Sequence, residues 1–252
     1  MEKEVKIIHF DIETFPILSY TWGLYEQNVI AKVKDWGILC FAWSYEGSDE
    51  VHSYSIRDSK KKSLDDSKVV KKLWELFNEA DILSAHNGIS FDIKKCNARF
   101  AYYKLPPPSP YKVVDTKRIA KSVFQFDSNS LKDLAKYLGL TPKVETGGFS
   151  LWEGCMRGDN DAWDKMIEYN KGDVITLKEV YTILKPWAKS HPNLNIIANT
   201  THNCPTCLSG NVQKRGTYPK NLGAKGIIQW QRNCCMKCGK WSSAPKEESP
   251  IR

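Results

Sequence analysis

The chain has 252 residues, of which 41% are hydrophobic, 12% aromatic and 26% charged, and its formal net charge is +8. This is a soluble globular composition with room for one large domain or two smaller ones. No apolar run approaches the roughly 18 residues of a membrane span, and the N-terminal Met-Glu-Lys-Glu-Val-Lys lacks the pattern of a signal peptide.

Charge and cysteine are both unevenly placed. From Ser190 onward there are nine Lys and Arg against two Asp and Glu, so this stretch carries +7 and the first 189 residues only +1. A near-neutral body with a basic module suggests a polyanionic partner, most simply nucleic acid. Five of the eight cysteines fall between Cys204 and Cys238, which favours metal binding in a reducing cytoplasm over disulfides.

In chain order, Val5-Lys6-Ile7-Ile8-His9-Phe10 is a buried-strand pattern that ends at Asp11-Ile12-Glu13. Residues 14–34, with Phe15, Pro16, Tyr20, Trp22 and Tyr25, are expected to wrap the start of the sheet. Residues 37–45 form a second strand and 51–56 a third, joined as an antiparallel meander. A polar loop is expected over 60–66, and then a helix over 66–80 from the spacing of Val69, Val70, Leu73, Leu76 and Phe77. A short strand at 81–86 precedes a helix from Asp92 to about Tyr103, stopped by Pro106-Pro107-Pro108. A fifth strand at 111–115, helices at 116–123 and 131–138, a loop-rich stretch at 141–158 and a long helix at 161–184 follow. The order predicts an α/β fold with a mixed five-stranded sheet flanked by helices.

Within that frame four carboxylates and a phenol stand out. Asp11 and Glu13 are two apart on a strand and so share a face. Asp92 opens a helix directly after Asn87-Gly88-Ile89-Ser90-Phe91. Tyr169 and Asp173 are four apart on the last long helix and point the same way. Carboxylates gathered at one point repel unless cations lie between them, and hard oxygen ligands select Mg²⁺ or Mn²⁺. Two such ions form a clamp for in-line displacement at phosphorus. Tyr169 would orient the attacking water, since a phenol is a poor base near neutral pH but a good hydrogen-bond partner.

Asp11-x-Glu13, Asn87-x₃-Phe91-Asp92 and Tyr169-x₃-Asp173 resemble, in order and context, the three motifs of the DEDD 3′–5′ exonucleases in their tyrosine-containing branch (DEDDy). These belong to the ribonuclease H-like superfamily and include polymerase proofreading domains. The resemblance covers residues 5 to 185 and implies a two-metal site on Asp11, Glu13, Asp92 and Asp173, with Tyr169 at the water. It makes Asn87 and Phe91 supports near the substrate and Asp115 a support behind the ligands. His86 is a candidate phosphate contact. The family often has a small residue after Asp-x-Glu-Thr; here Phe15-Pro16 follows, so Phe15 is a candidate to stack on the last base. Related stand-alone sequences occur in bacteria and their phages, which implies a cytoplasmic enzyme.

Cys204-Pro-Thr-Cys207 and Cys235-Met-Lys-Cys238 are Cys-x₂-Cys pairs, the spacing of one structural Zn²⁺ in a zinc ribbon. Cys234 is an alternative to Cys235, while Cys40, Cys96 and Cys155 read as core thiols. Short strands are expected at 211–213 and 226–232. Lys214, Arg215, Tyr218, Lys220, Lys225, Trp230, Arg232, Lys237, Lys240 and Trp241 alternate cation and ring, a pattern that suits single-stranded nucleic acid or, if the rings pack inward, protein docking. The expected domains are a nuclease at 1–188, a linker at 189–202, a ribbon at 203–243 and a tail at 244–252.

The functional expectation is a metal-dependent 3′–5′ exonuclease on nucleic acid, single-stranded DNA favoured, with the ribbon contacting substrate or a replication or repair protein. A structure-specific endonuclease, a 3′–5′ exoribonuclease of the same superfamily, and a non-catalytic zinc-ribbon adaptor are the alternatives.

Overall fold

The apolar stretch that leads into Asp11-Ile12-Glu13 is the middle strand, β1 (Ile7–Phe15), of a five-stranded sheet. The computed structural model describes residues 3–25, 28–58, 64–140, 147–223 and 226–246. They divide into two compact units, Lys6–Tyr181 and the residues from Thr182 onward together with those through Val5.

In the first unit, β1 pairs antiparallel with β4 (Gly37–Tyr45), which pairs antiparallel with β5 (His52–Ser55). On its other side β1 pairs parallel with β6 (Ile82–Ala85), and β6 with β7 (Lys112–Asp115). The sheet order is β5-β4-β1-β6-β7, the mixed arrangement expected from the element order.

Alternation along β1 sends Ile8, Phe10 and Ile12 to one face, where they join the main apolar cluster. There α1 (Ser67–Glu79) inserts Leu73 and Phe77, and Phe77 meets Phe10 edge-on at 5.1 Å. His9 and Asp11 take the opposite face and meet α6 (Asn160–Leu184): the His9 ring lies 4.8 Å from that of Tyr181, and Asn170 bonds Asp11. A buried ion pair locks the α1 side. Asp66, at the N-cap of α1, accepts from the Ile38 N–H at 2.9 Å, from Nε of Arg99 at 2.8 Å and from the Tyr103 hydroxyl at 2.6 Å. Arg99 comes from α2 (Asp92–Tyr102).

Three expectations change here. First, residues 14–34 do not simply wrap the sheet. β1 continues to Phe15, and β2 (Leu18–Tyr20) pairs with β3 (Ala31–Lys34) as a hairpin whose Trp22, Leu24 and Tyr25 are exposed. Second, after α3 (Thr116–Val123) and α4 (Leu131–Tyr137) comes a helix within the stretch expected as loop, α5 (Ser150–Arg157). Leu151 and Cys155, one turn apart, bury its inner side in the main cluster, and Gly158 ends it in a left-handed cap at φ 85°. Residues 59–63, 141–146 and 247–252, which include most of the polar loop, part of the loop-rich stretch and most of the tail, lie outside the described residues.

Third, the stretch expected as a linker carries α7 (Leu194–Ala198), capped by the Asn193 side chain. It belongs to the second unit: the Leu194 N–H donates to the Pro205 carbonyl at 2.8 Å, and Lys3 N–H to Ala198 at 3.0 Å. The strands expected as short pieces are longer. β8 (Val212–Asn221), β9 (Ile227–Cys235) and β10 (Trp241–Pro245) make an antiparallel sheet in the order β10-β9-β8. Among the described residues no helix is long and apolar enough to cross a membrane.

Candidate active site

Three of the four predicted carboxylates come together. One oxygen each from Asp11, Glu13 and Asp173 lies within 4.8 Å of the others. Asp11 and Glu13 project from β1 on the side that meets α6, and Asp173 is 3% exposed on that helix. The β1–β4 register slips between Glu13 and Thr14, directly after the second acid. Such an irregularity increases twist and re-aims side chains.

Asp92 stands beside this group rather than within it. Its carboxylate accepts the backbone N–H of Ile12, the residue between the two strand acids. Burial pushes its pKa up to about 7 against the pull of that N–H and its own, and Asp115 adds to the rise. The loop before α2 explains how Asp92 is held. Asp115, the N-cap of α3, accepts from Asn87 N–H at 3.1 Å, from Ile89 N–H at 3.2 Å and from Arg118 N–H at 3.1 Å. Asn87 sits at φ 69°, a left-handed conformation that asparagine tolerates. A Cβ on Gly88 would lie 2.4 Å from Cβ of Ala85, so only glycine lets the loop pack against β6. Phe91 is 41% exposed, next to Asp92.

Tyr169 is hydrogen-bonded to Asp173. Burial, then the charges of Asp173, Glu13 and Asp11, push its pKa far above the ordinary phenol value. Its ring meets that of Trp152, on α5, at 6.2 Å and 69°. Two residues without an assigned role in the sequence reading emerge here: Trp152, which lay in the expected loop, and Asn170. Asn170 is fully buried, and its Nδ2 donates to Asp11 Oδ2 at 2.8 Å and to the Asp11 carbonyl at 3.3 Å. Its position inside the Tyr169-Asn170-x-x-Asp173 stretch was the available signal.

Two substrate contacts expected from sequence are corrected. Phe15 is 1% exposed and belongs to the apolar cluster, so its face is closed to a base. Its ring fills the space where a Cβ on Gly37 would lie, 2.5 Å from that position. His86 has both ring nitrogens engaged, Nδ1 with Thr116 Oγ1 and Nε2 with the Asn129 carbonyl, each at 2.9 Å.

In the second unit Cys204, Cys207, Cys235 and Cys238 each place sulfur within 4.8 Å of the others. Cys204 and Cys238 are 3.7 Å apart, as are Cys207 and Cys235. Cys235, not Cys234, joins the group. Burial raises the Cys235 thiol, but the N–H groups of Cys238 and Lys237 and the neighbouring thiols outweigh it and bring its pKa to about 7. On the β8–β9 pair Tyr218 and Trp230 are direct cross-strand neighbours. Lys220 Nζ lies 3.9 Å over the Trp230 ring and Arg232 Cζ 5.1 Å over Tyr218. Lys240 is not free for phosphate, because it donates to the Ala188 carbonyl at 2.6 Å. Lys225 lies outside the described residues.

Comparison with known proteins bears on the first unit. The family model of the RNase_H superfamily matches residues 8–185. No curated protein matches the chain. Among solved structures, the family B DNA polymerase from the hyperthermophilic archaeon Pyrobaculum calidifontis is similar at 14% identity and a TM-score of 0.52. The likeness covers 73% of this chain and 26% of the polymerase, and at that identity it speaks for the fold alone.

Proposed function

The chain belongs to the RNase_H superfamily, and from that premise we propose that it is a metal-dependent 3′–5′ exonuclease, hydrolysing phosphodiester bonds at the 3′ end of nucleic acid, with single-stranded DNA favoured. The observation that carries this reading is the Tyr169 hydroxyl bonded to Asp173, beside the Asp11–Glu13–Asp173 group. An acidic group alone fits many phosphodiesterases; a phenol held at its edge is the feature of the tyrosine branch.

The donor set fits divalent cations. Three carboxylates within 4.8 Å of one another repel without counter-charge, and the buried Oδ1 of Asn170 has no hydrogen-bond partner among the described residues. Asp11, Glu13, Asp92 and Asp173 would hold two Mg²⁺ or Mn²⁺. When bound, such ions lower the pKa of water and offset charge on the phosphate oxygens. The chain's own residues do the rest. Asn170 fixes the rotamer of Asp11 through two bonds. Asp115 fixes the loop that delivers Asp92. Tyr169, a phenol and so a good hydrogen-bond partner, orients a water through its hydroxyl. Phe91, exposed next to Asp92, is a flat surface for the terminal base, and Asn87 supports it through the loop.

The four thiols fit one structural Zn²⁺, a Cys₄ set whose sulfurs all lie within 4.8 Å of one another. We assign the nuclease to residues 1–188 and the ribbon to 203–243. The ribbon's paired rings and cations support a role in holding substrate, with a replication or repair protein as the further partner proposed.

The test is a polarity assay with end-labelled linear and circular strands of DNA and RNA in Mg²⁺ or Mn²⁺. Stepwise release of mononucleotides from the 3′ end is expected, abolished by Asp173→Ala and reduced about a hundredfold by Tyr169→Phe. Cutting of circular strands would replace the exonuclease reading with an endonuclease.

A further inference from the structure

A line of rings and cations runs along one side of α2, starting at the acidic site. Phe91, immediately before Asp92, is 41% exposed. One turn on, Lys95 places Nζ 5.8 Å from the Phe91 ring and 3.8 Å from that of Trp36, which lies between β3 and β4. A further turn on, Arg99 Cζ lies 5.6 Å from the Trp36 ring and 4.3 Å from that of Tyr102, itself 64% exposed. Positions 91, 95, 99 and 102 follow the helical repeat and share a face.

The arrangement is prepared rather than accidental. Arg99 is buried and committed to Asp66, so it is not a phosphate ligand. It serves as a fixed post between Trp36 and Tyr102, holding flat surfaces at set positions. Asp35, the acid beside Trp36, is occupied by Lys32 at 3.3 Å. Rings alternating with cations, leading away from a site that cleaves phosphodiesters, match the way single strands are bound without sequence preference.

We propose that this face of α2 is a stacking track for the single-stranded nucleic acid upstream of the scissile bond, with Phe91, Trp36 and Tyr102 as platforms and Lys95 as the cation between them. The proposal rests on the exonuclease reading for the direction of the strand. From Phe91 to Tyr102 the helix rises about 16 Å, room for about four or five bases at roughly 3.4 Å each. The substrate is therefore a strand of at least that length, recognised by base faces and not by sequence or sugar.

The experiment uses the full chain carrying Asp173→Asn, to bind without cutting, with fluorescently labelled oligothymidylates and oligouridylates read by anisotropy. Trp36→Ala and Tyr102→Ala are each expected to weaken a strand of about ten nucleotides roughly tenfold. Both should leave a dinucleotide, which reaches only Phe91, within about twofold. Trp36→Phe should restore most of the loss. Tyr102, being largely exposed, can be removed without disturbing the core and carries the test should Trp36→Ala fold poorly. Equal loss at both lengths, no loss at either, or a loss confined to one sugar overturns the track. Cleavage by the chain with Asp173 intact is read in parallel. If it cuts nothing, the exonuclease reading fails while the binding data still decide the track. If ring variants cut long strands as well as the parent does, the track fails and the exonuclease reading stands.

Discussion

In the first unit β4 is sealed from water over Ile38–Ala42, and Phe10, Leu73 and Phe77 are likewise closed off. Between residues 203 and 246 the described buried residues are Cys204, Thr206 and Cys235, two of them members of the thiol group. The first region has an apolar interior that stabilises it without help, and it gathers acids at the edge of that interior. The second has strands but almost no interior, so burial contributes little to its stability. Cations have opposite places in the two. In the ribbon a cation would hold the fold together; in the body it would relieve a repulsion that the fold already tolerates.

That contrast can be broken most decisively at the ribbon. Cys238→Ser, or a strong chelator, is expected to remove stabilisation on the order of 10 kcal/mol from the sheet. Amide hydrogen exchange over β8, β9 and β10 would then rise to that of an unfolded chain, with the body's protection unchanged. A sheet that stays protected without metal would show that it has a sufficient interior after all.

The converse change is Phe77→Ala. This ring meets Phe10, Phe100 and Tyr111 edge-on at 5.1, 5.4 and 5.5 Å, and its loss is expected to cost about 3–5 kcal/mol by denaturant unfolding of the body. The ribbon's exchange should not respond. A cost below about 1 kcal/mol would mean that the apolar cluster is not what holds the body.

The finest distinction concerns the acids. Asp92 has a folded-state pKa of about 7 against an ordinary 3.8. The folded body thus binds that proton more tightly than the unfolded chain. Its stability falls as pH rises from about 4 to about 7, and the loss is complete above. Asp92→Asn removes the effect. In metal-free protein the variant should melt higher than wild type above pH 7 and no higher near pH 4, and Mg²⁺ should narrow the gap. Equal melting at both pH values would show that the acid is better solvated than its burial implies.

Much of the body was legible because its signals are local. Short apolar runs, alternating only over 51–56, gave the five strands, and i, i+4 spacing put Tyr169 beside Asp173. The Cys-x₂-Cys spacing likewise gave the thiol group. What escaped depended on contacts distant in sequence. Phe15 reads as a site residue from its place after Glu13, but the slip after Glu13 and the space above Gly37 put its ring in the cluster. His86 reads as a phosphate contact until Asn129, 43 residues on, takes one nitrogen. The α5 helix hides behind a glycine pair that marks a loop, though Leu151 and Cys155 bury one side of it. Trp36 shows nothing in its own neighbourhood; its role depends on Lys95 and Arg99 from another element.

The bond from Asn170 to Asp11 joins residues 159 positions apart. On a chain made from its N-terminus, Asp11 and Glu13 emerge before Asp92, and Asp173 is the last of these four acids to arrive. The strand, the sheet and the helix that carries Asp92 can all be in place while the site is still one carboxylate and one anchoring amide short. Contacts of such long sequence separation form late because they close the largest loop. The order of synthesis thus withholds the complete acidic group until α6 docks, so an unfinished chain carries the parts of a nuclease without its chemistry.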